Sequence, residues 1–285
     1  MVRRGVAEHV VGRTIATADI RGGRVARRHG PGPVDLADRI RGATVRVADR
    51  RGKYLWLVLS QPREDPVALV IHLGMSGQLL VQSSAQPEPK HTHASFAFDD
   101  ASGLLRFVDQ RTFGGLSLSE LLPDSTHPWG IPSSIAHIAA DPLESAFDQG
   151  AVIATLKRRH TAIKRSLLDQ RLVSGIGNIY ADEALWRAGV HGRRTSDLLT
   201  KPTLRRVLDQ AADVMNAALM VGGTSFDALY VNVNGASGYF DRSLDAYGQT
   251  GRPCGRCGAA IRRAEFMNRS SHYCPRCQPA PRARR

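Results

Sequence analysis

Four cysteines, the only ones in the chain, form two paired units near its C-terminus: Cys254-x2-Cys257-x16-Cys274-x2-Cys277. Two CxxC knuckles at this spacing suit a tetrahedral zinc ion, because each tight turn supplies two thiolates. Paired units of this kind in a cytosolic chain are metal ligands more often than disulfides. Four thiolates leave no open position for water, so one structural Zn2+ is expected, with no chemistry of its own. Residues 251–285 carry nine Arg and one acid, Glu265. A zinc hairpin of that charge should lie on phosphate, with Asn268-Arg269-Ser270 at its tip.

A second constellation lies in Thr161 to Gly189, TAIKRSLLDQRLVSGIGNIYADEALWRAG. Ile163, Leu167 and Leu168 recur with helical spacing before a glycine turn, and Ile179, Ala184, Leu185 and Ala188 after it. In the turn, Ser174-Gly175-Ile176-Gly177-Asn178, the glycines allow close backbone approach to a ligand. Asn178 is a good N-cap, which would aim the open amides of the next helix outward. With Lys157, Arg158, Arg159, Lys164 and Arg165 just upstream, the stretch reads as a phosphate clamp between two helices. An ordinary helical hairpin with a glycine loop has the same pattern.

Three further turns carry candidate groups. Arg50-Arg51-Gly52-Lys53-Tyr54 is a basic turn at a strand entrance. His72-Leu-Gly-Met75-Ser-Gly77 is a glycine-bounded turn that would present Met75. Asp109-Gln-Arg111-Thr-Phe113-Gly-Gly115 offers a cation and an aromatic two residues apart, on one face if extended. An apolar wedge and an arginine are what an enzyme that flips a base out of a duplex needs, to fill the hole and to contact the orphaned partner.

The elements that must hold these groups change along the chain. Val2, Val6 and Val10 mark a helix that Gly12 can end. From about Thr14 to Leu118 the pattern is of strands. Tyr54 to Leu59 is apolar on both faces, and Ala68–Leu73, Gln78–Val81, Ala94–Phe98 and Leu104–Val108 follow, which together read as a β-sandwich. Ser83 to Lys90 is a polar loop. Pro123 to Pro142, with four prolines, reads as a linker. Pro202 to Val221 is an amphipathic helix with Leu204, Val207, Leu208, Ala211, Met215, Ala218 and Leu219 on one side, and Gly222-Gly223 ends it. Thr224 to Tyr239 reads as a long loop of the kind that is usually functional.

At 285 residues and 42% hydrophobic, the chain has material for about two domains. No run approaches a membrane span and no signal-peptide pattern opens the sequence, so a cytoplasmic location is the default expectation. A formal charge of +13 and a sequence pI of about 10.3 call for a polyanionic partner, most simply nucleic acid.

The run from Ile163 to Glu183 resembles the helix–two-turn–helix element of the formamidopyrimidine-DNA glycosylase family, which reads close to IK..LLDQ..V.GIGNIYADE. The match is to the 8-oxoguanine branch rather than the endonuclease VIII branch, and it extends over almost the whole chain. The resemblance implies an α+β fold in two domains: an N-terminal β-sandwich with a flanking helix, then a helical domain with the helix–two-turn–helix element and a zinc-ribbon β-hairpin. The corresponding divisions are 1–122, a linker over 123–142, 143–249, the zinc finger over 250–278 and a basic tail over 279–285.

The resemblance also implies roles. Met75, Arg111 and Phe113 match the void-filling trio, Lys53 a lysine at the phosphate beside the damaged nucleotide, and Lys164 a lysine near the damaged-base pocket. Asn178 and Arg269 match phosphate contacts, and His72, Gly175 and Gly177 belong to the same DNA-binding turns. The segment with Thr224, Ser225 and Tyr239 resembles the loop that closes over the everted base. Double-stranded DNA with an oxidised purine opposite cytosine is the implied partner, and a monomer the implied state.

In the resembled family a terminal proline attacks C1′ and a glutamate beside it serves in acid–base steps. A chain-terminal amine suits this, with a pKa near 8 against about 10.4 for Lys. The sequence opens Met1-Val2-Arg3-Arg4-Gly5 and holds neither residue. Its first residues join the family's V-R-R-G-like run directly, so the expectation is a start site assigned about eight residues late. The readings kept open are a bifunctional glycosylase and abasic-site lyase for oxidised purines, a catalytically dead damaged-DNA-binding protein, and an oxidised-pyrimidine glycosylase.

Overall fold

The structure is a computed structural model, and it describes residues 1–100, 103–221 and 244–281. The chain divides into two compact units. The first is Met1–His137; the second is Ile138–Val221 with residues 244–281.

The first unit is a β-sandwich. Its elements in order are α1 (Val2–Val10), β1 (Ile15–Ile20), α2 (Pro33–Ile40), β2 (Thr44–Arg51), β3 (Tyr54–Ser60), β4 (Val67–His72), β5 (Gly77–Gln82), β6 (Thr92–Phe98), β7 (Leu104–Asp109), β8 (Gly115–Leu122) and β9 (Ile131–Pro132). One antiparallel sheet has the order β2-β3-β4-β8-β9, the other β1-β6-β7-β5. β3 is buried from Leu55 to Leu59, as a run apolar on both faces requires. Val6 and Val10 of α1 and Leu36 and Ile40 of α2 join the core with Ile15, Leu57, Leu69, Phe96 and Phe107.

The stretch expected as a linker is largely structured. β9 pairs with the end of β8, and a 3-10 turn covers Ser133–Ile135. Arg51 donates to the Thr126 hydroxyl (3.1 Å) and to Nε2 of His127 (3.0 Å), while Nδ1 of His127 donates to Asp49 (2.6 Å). The division between the units falls after His137. Proline density marks irregular backbone, and irregular backbone can still be tied down by side chains.

The second unit holds α3 (Gln149–Arg158), α4 (Ile163–Leu167), α5 (Asn178–Ala188), a 3-10 turn at Ser196–Leu198, α6 (Lys201–Met220), β10 (Arg262–Phe266) and β11 (Arg269–Tyr273). Its core joins Leu156, Ile163, Leu167, Val173, Ile176, Ala181, Leu185, Leu204, Leu208 and Ala211. α6 starts as read, with Pro202 in its first turn and the Thr200 hydroxyl accepting the Thr203 N–H at 3.3 Å. Its apolar face is as wide as expected but turned slightly round the helix. Leu219 is exposed, whereas Val214, absent from the expected set, is buried against Leu244 and Tyr180. Leu219 lies 100° round the helix from Ala218, which carries the end of the stripe.

Candidate nucleic-acid interface

In the first unit, strand register gathers the candidate turns at one end of the sandwich. Tyr54 pairs with His72, and His72 with Gly115. In the other sheet Gly77 pairs with Asp109. Lys53, the turn from His72 to Gly77 and the loop from Asp109 to Gly115 therefore share one edge. Met75 is 61% and Phe113 48% exposed, and Arg111 and Lys53 are exposed. Apolar side chains that open to solvent beside cations are placed for a ligand rather than a core.

The two turns interlock. A Cβ on Gly74, which has φ +65°, would lie 2.6 Å from the Gly114 amide nitrogen, and one on Gly114 would lie 2.6 Å from the His72 carbonyl oxygen. Asp109 organises the loop from within. It is fully buried, its Oδ2 accepts the Gly114 N–H (2.7 Å), and its Oδ1 accepts the Arg111 N–H (3.2 Å) and the Ser76 hydroxyl. Arg27 holds the outside: its guanidinium donates to the carbonyls of Phe113 (2.6 Å), Gly114 (2.7 Å) and Thr112 (3.3 Å). His72 accepts the Gly74 N–H at Nδ1 (3.1 Å). Burial, and then the charges of Arg28, Lys53 and Arg27, push its pKa down to about 4, so the ring is neutral near pH 7.

In the second unit the glycine turn is built differently from expectation. Gly177, not Asn178, is the N-cap of α5, and no side chain caps that end. The Asn178 amide instead donates to the Ser270 carbonyl at 2.9 Å. Gly175 has φ +80°, and a Cβ there would meet Met215 Cε at 2.9 Å and Asp141 Cβ at 3.2 Å. Glycine is required at that position by backbone conformation and internal packing. Gln170 spans the turn, accepting the Gly175 N–H (3.1 Å) and donating to the Ile176 carbonyl (3.0 Å).

The upstream cations are mostly committed to the protein, so the five do not form the phosphate clamp that their spacing suggests. Lys157 donates to the carbonyls of Asp197 and Leu199. Arg159 pairs with Asp169 at 2.7 Å. Lys164 is 0% exposed: its Nζ lies 2.6 Å from the buried Asp182 carboxylate and donates to the Ser270 carbonyl at 3.1 Å. Burial pulls the Lys164 pKa down, and Asp182 pulls it back up. Asp182 in turn accepts the Ser271 hydroxyl (3.1 Å) and the His272 N–H (2.8 Å). The buried Lys164 and Asp182 and the half-buried Asn178 thus form one set that grips the first residues of β11. Among the five basic residues, Arg158 and Arg165 are exposed.

That grip places Arg269. β10 and β11 pair antiparallel from Phe266↔Arg269 to Arg262↔Tyr273. The tip is Met267-Asn268, with Met267 at φ +54°, and Arg269 is the first residue of β11, exposed beside it. The four cysteines lie behind the hairpin, with their sulfurs all within 4.8 Å of one another. Sγ of Cys254 is 4.0 Å from that of Cys277, and Sγ of Cys257 is 3.4 Å from that of Cys274. Tetrahedral zinc with bonds of about 2.3 Å needs sulfurs roughly 3.8 Å apart, so the donor set fits one structural Zn2+. Two neighbours anchor this module to α5. Arg256 stacks on Trp186 at 3.9 Å and donates to the Trp186 carbonyl (2.8 Å). Glu183, fully buried, accepts the N–H groups of Asp245, Ala246 and Tyr247 at 2.8–3.1 Å. Burial raises its pKa.

Asp109, Arg27, Asp182 and Glu183 were not singled out from sequence. The first shares its turn with the trio, and the last two fall in the quoted run NIYADE, but their partners are distant in the chain. Thr224, Ser225 and Tyr239 lie outside the described residues. No described helix is long and apolar enough to cross a membrane.

Residues 1–116 match the formamidopyrimidine-DNA glycosylase N-terminal domain, 138–229 the helix–two-turn–helix domain of the same family, and 251–280 a zinc finger found in these glycosylases and in isoleucyl-tRNA synthetase. A formamidopyrimidine-DNA glycosylase of Rhodococcus jostii is 59% identical over 99% of this chain and 94% of its own. The Lactococcus lactis enzyme, solved in complex with DNA containing an abasic site, superposes with a TM-score of 0.83 at 30% identity, over 98% of this chain and 97% of that one. A MutM structure in complex with carbocyclic 8-oxoguanine DNA gives 0.82 at 29% identity over the same shares. The chain belongs to the formamidopyrimidine-DNA glycosylase family.

Proposed function

We propose that the chain is a DNA glycosylase and abasic-site lyase of base excision repair, which removes oxidised purines such as 8-oxoguanine and formamidopyrimidines paired with cytosine. The observation that carries this is the interlocked pair of turns at one end of the sandwich, with Met75, Arg111 and Phe113 exposed on it. Once a base is swung out of the duplex, a wedge must occupy its place and a donor must satisfy the widowed cytosine; Phe113 and Met75 serve as the first and Arg111 as the second. Lys53 and Arg269 each hold a backbone phosphate, and the protein acts as a monomer.

The experiment measures binding to duplexes carrying 8-oxoguanine opposite cytosine, thymine glycol opposite adenine, or no lesion. Preference for the first is expected. Equal affinity for all three would overturn the reading, and preference for thymine glycol would assign the oxidised pyrimidines instead. Borohydride trapping on abasic DNA is run in parallel on residues 1–285 and on the same chain preceded by a Pro-Glu opening. The covalent adduct is expected from the second, and its absence there would refute the lyase.

A further inference from the structure

Beside α4 lies a groove of about 670 Å3 whose lining includes Arg159, His160, Thr161, Arg165, Ser166 and Arg269. It is lined wholly by the second unit. Two of its nitrogen-bearing side chains are already engaged, Arg159 by Asp169 (2.7 Å) and His160 by Asp197 (2.7 Å). Arg165 and Arg269 are different. Both are exposed, and among the described residues their side chains make no hydrogen bond or ion pair. They come from α4 and β11, elements far apart in the chain, and face the same space. A second observation points the same way: Ser166 lines this groove at 1% exposure, and its Oγ has no hydrogen-bond partner. A buried hydroxyl without a partner costs free energy that an incoming acceptor recovers.

Two unengaged guanidiniums and an unsatisfied hydroxyl are donors without an acceptor, and the acceptor that matches them is a tetrahedral oxyanion. We infer that this groove is a subsite for one phosphodiester of the DNA backbone, with Arg165 as the cation that distinguishes it from the phosphates reached by Arg269 alone. Arg165 and Arg269 bracket the phosphate, and Ser166 turns its hydroxyl onto a non-bridging oxygen. The exposed thioether of Met267 at the groove's rim offers an apolar surface to the adjoining deoxyribose. This subsite rests on the reading of the chain as a duplex-DNA-binding repair enzyme. It adds a point of attachment on α4, outside the glycine turn and the zinc hairpin.

The test uses the full zinc-loaded chain and undamaged duplex across a salt series. Each phosphate neutralised contributes about 0.9 to the slope of log K against log salt. Arg165→Ala should flatten the slope by about that amount, and Arg165→Lys should restore it. Ser166→Ala should weaken binding at every salt concentration without altering the slope. Because Arg165 is exposed, zinc content and melting temperature should be unchanged in its variants. An unchanged slope in Arg165→Ala would overturn the inference. So would the finding that inorganic phosphate alone raises the melting temperature of the wild type but not of Arg165→Ala while both share one DNA slope, since the groove would then serve a free anion. Loss of lesion preference in the wild type is read separately and would count against the repair function, not against the subsite.

Discussion

The two halves of the candidate interface hold their functional groups by opposite means. At the end of the sandwich, the residues that meet DNA under the proposed function are exposed, and residues without such a role hold them: Asp109 from below and Arg27 from outside. In the second unit, most residues nominated for DNA are themselves the holders. Lys164 and Asn178 are committed to the hairpin strand, and the reach falls to arginines on the surface. The difference follows from what each half has to present. A wedge must be apolar and stiff, so its backbone is clamped. A phosphate contact must be a charge at the end of a long side chain, so the clamp is set further back, under the hairpin.

Removing the metal should have the largest effect and should split the halves. Structural zinc contributes on the order of 10 kcal/mol or more of binding free energy that is also folding free energy. Cys257→Ser should lose the metal, unseat Arg269 and weaken DNA binding, while the sandwich keeps its cooperative melting transition. A metal-free protein with full DNA affinity would show that the hairpin does not carry the contact.

The next largest should come from Lys164. Breaking a buried ion pair from one side costs about 3–5 kcal/mol, because the other charge stays buried. Lys164→Met should therefore destabilise the second unit and reduce affinity for damaged and undamaged duplex alike. Replacing Asp182 at the same time, as Lys164→Met with Asp182→Leu, should recover part of the stability. If Lys164 acted instead at the damaged base, chemical denaturation would be unaffected and only lesion binding would fall.

Phe113→Ala should show the reverse pattern. Stacking of one aromatic is worth about 1–3 kcal/mol, so binding to a lesion duplex should fall roughly ten- to a hundredfold with little change in stability or non-specific binding. Asp109→Asn should reproduce part of that loss by loosening the loop while leaving Phe113 in place. Equal loss on damaged and undamaged duplex would remove the wedge from the comparison.

The pattern of what could be read in advance has a physical basis. The cysteine knuckles, β3 and α6 are set by local spacing, and they stand where spacing put them. The exposed trio lies on turns whose glycines have local geometric reasons. Lys164 is counted among the cations of a phosphate clamp, yet it is buried, because α4 is five residues long and its Nζ reaches the Ser270 carbonyl of β11. Asn178 was read as a cap because capping is local; its amide is drawn off by Ser270, a partner no periodicity encodes. Asp182 and Glu183 are two acids of α5 whose spacing does not mark them as buried. Each is paid for in hydrogen bonds by residues near the zinc module, and a long-range pairing of that kind leaves no trace in a window of neighbours.

The smallest expected effect concerns His72 and tests whether the clamped half is pH-sensitive where the other is not. His72 faces Arg27, Arg28 and Lys53, with Asp109 as the opposing charge, and its pKa stands at about 4 against about 6.5 in an unfolded chain. Below pH 6.5 the unfolded chain takes up a proton that the folded one resists. The sandwich should therefore lose stability progressively from about pH 6.5 to about pH 4, and the His72 contribution should flatten below that. Protonation would also remove the Nδ1 acceptor from the Gly74 N–H, and with it one support of the turn that presents Met75. Lesion preference should fall only as the pH approaches about 4, where the folded ring takes up its proton, while binding to undamaged duplex through Arg269 should not follow it. His72→Gln keeps an acceptor within reach and cannot titrate, so it should flatten both curves. Parallel pH profiles for wild type and His72→Gln, in melting temperature and in the ratio of lesion to undamaged affinity, would show that the ring is a spectator.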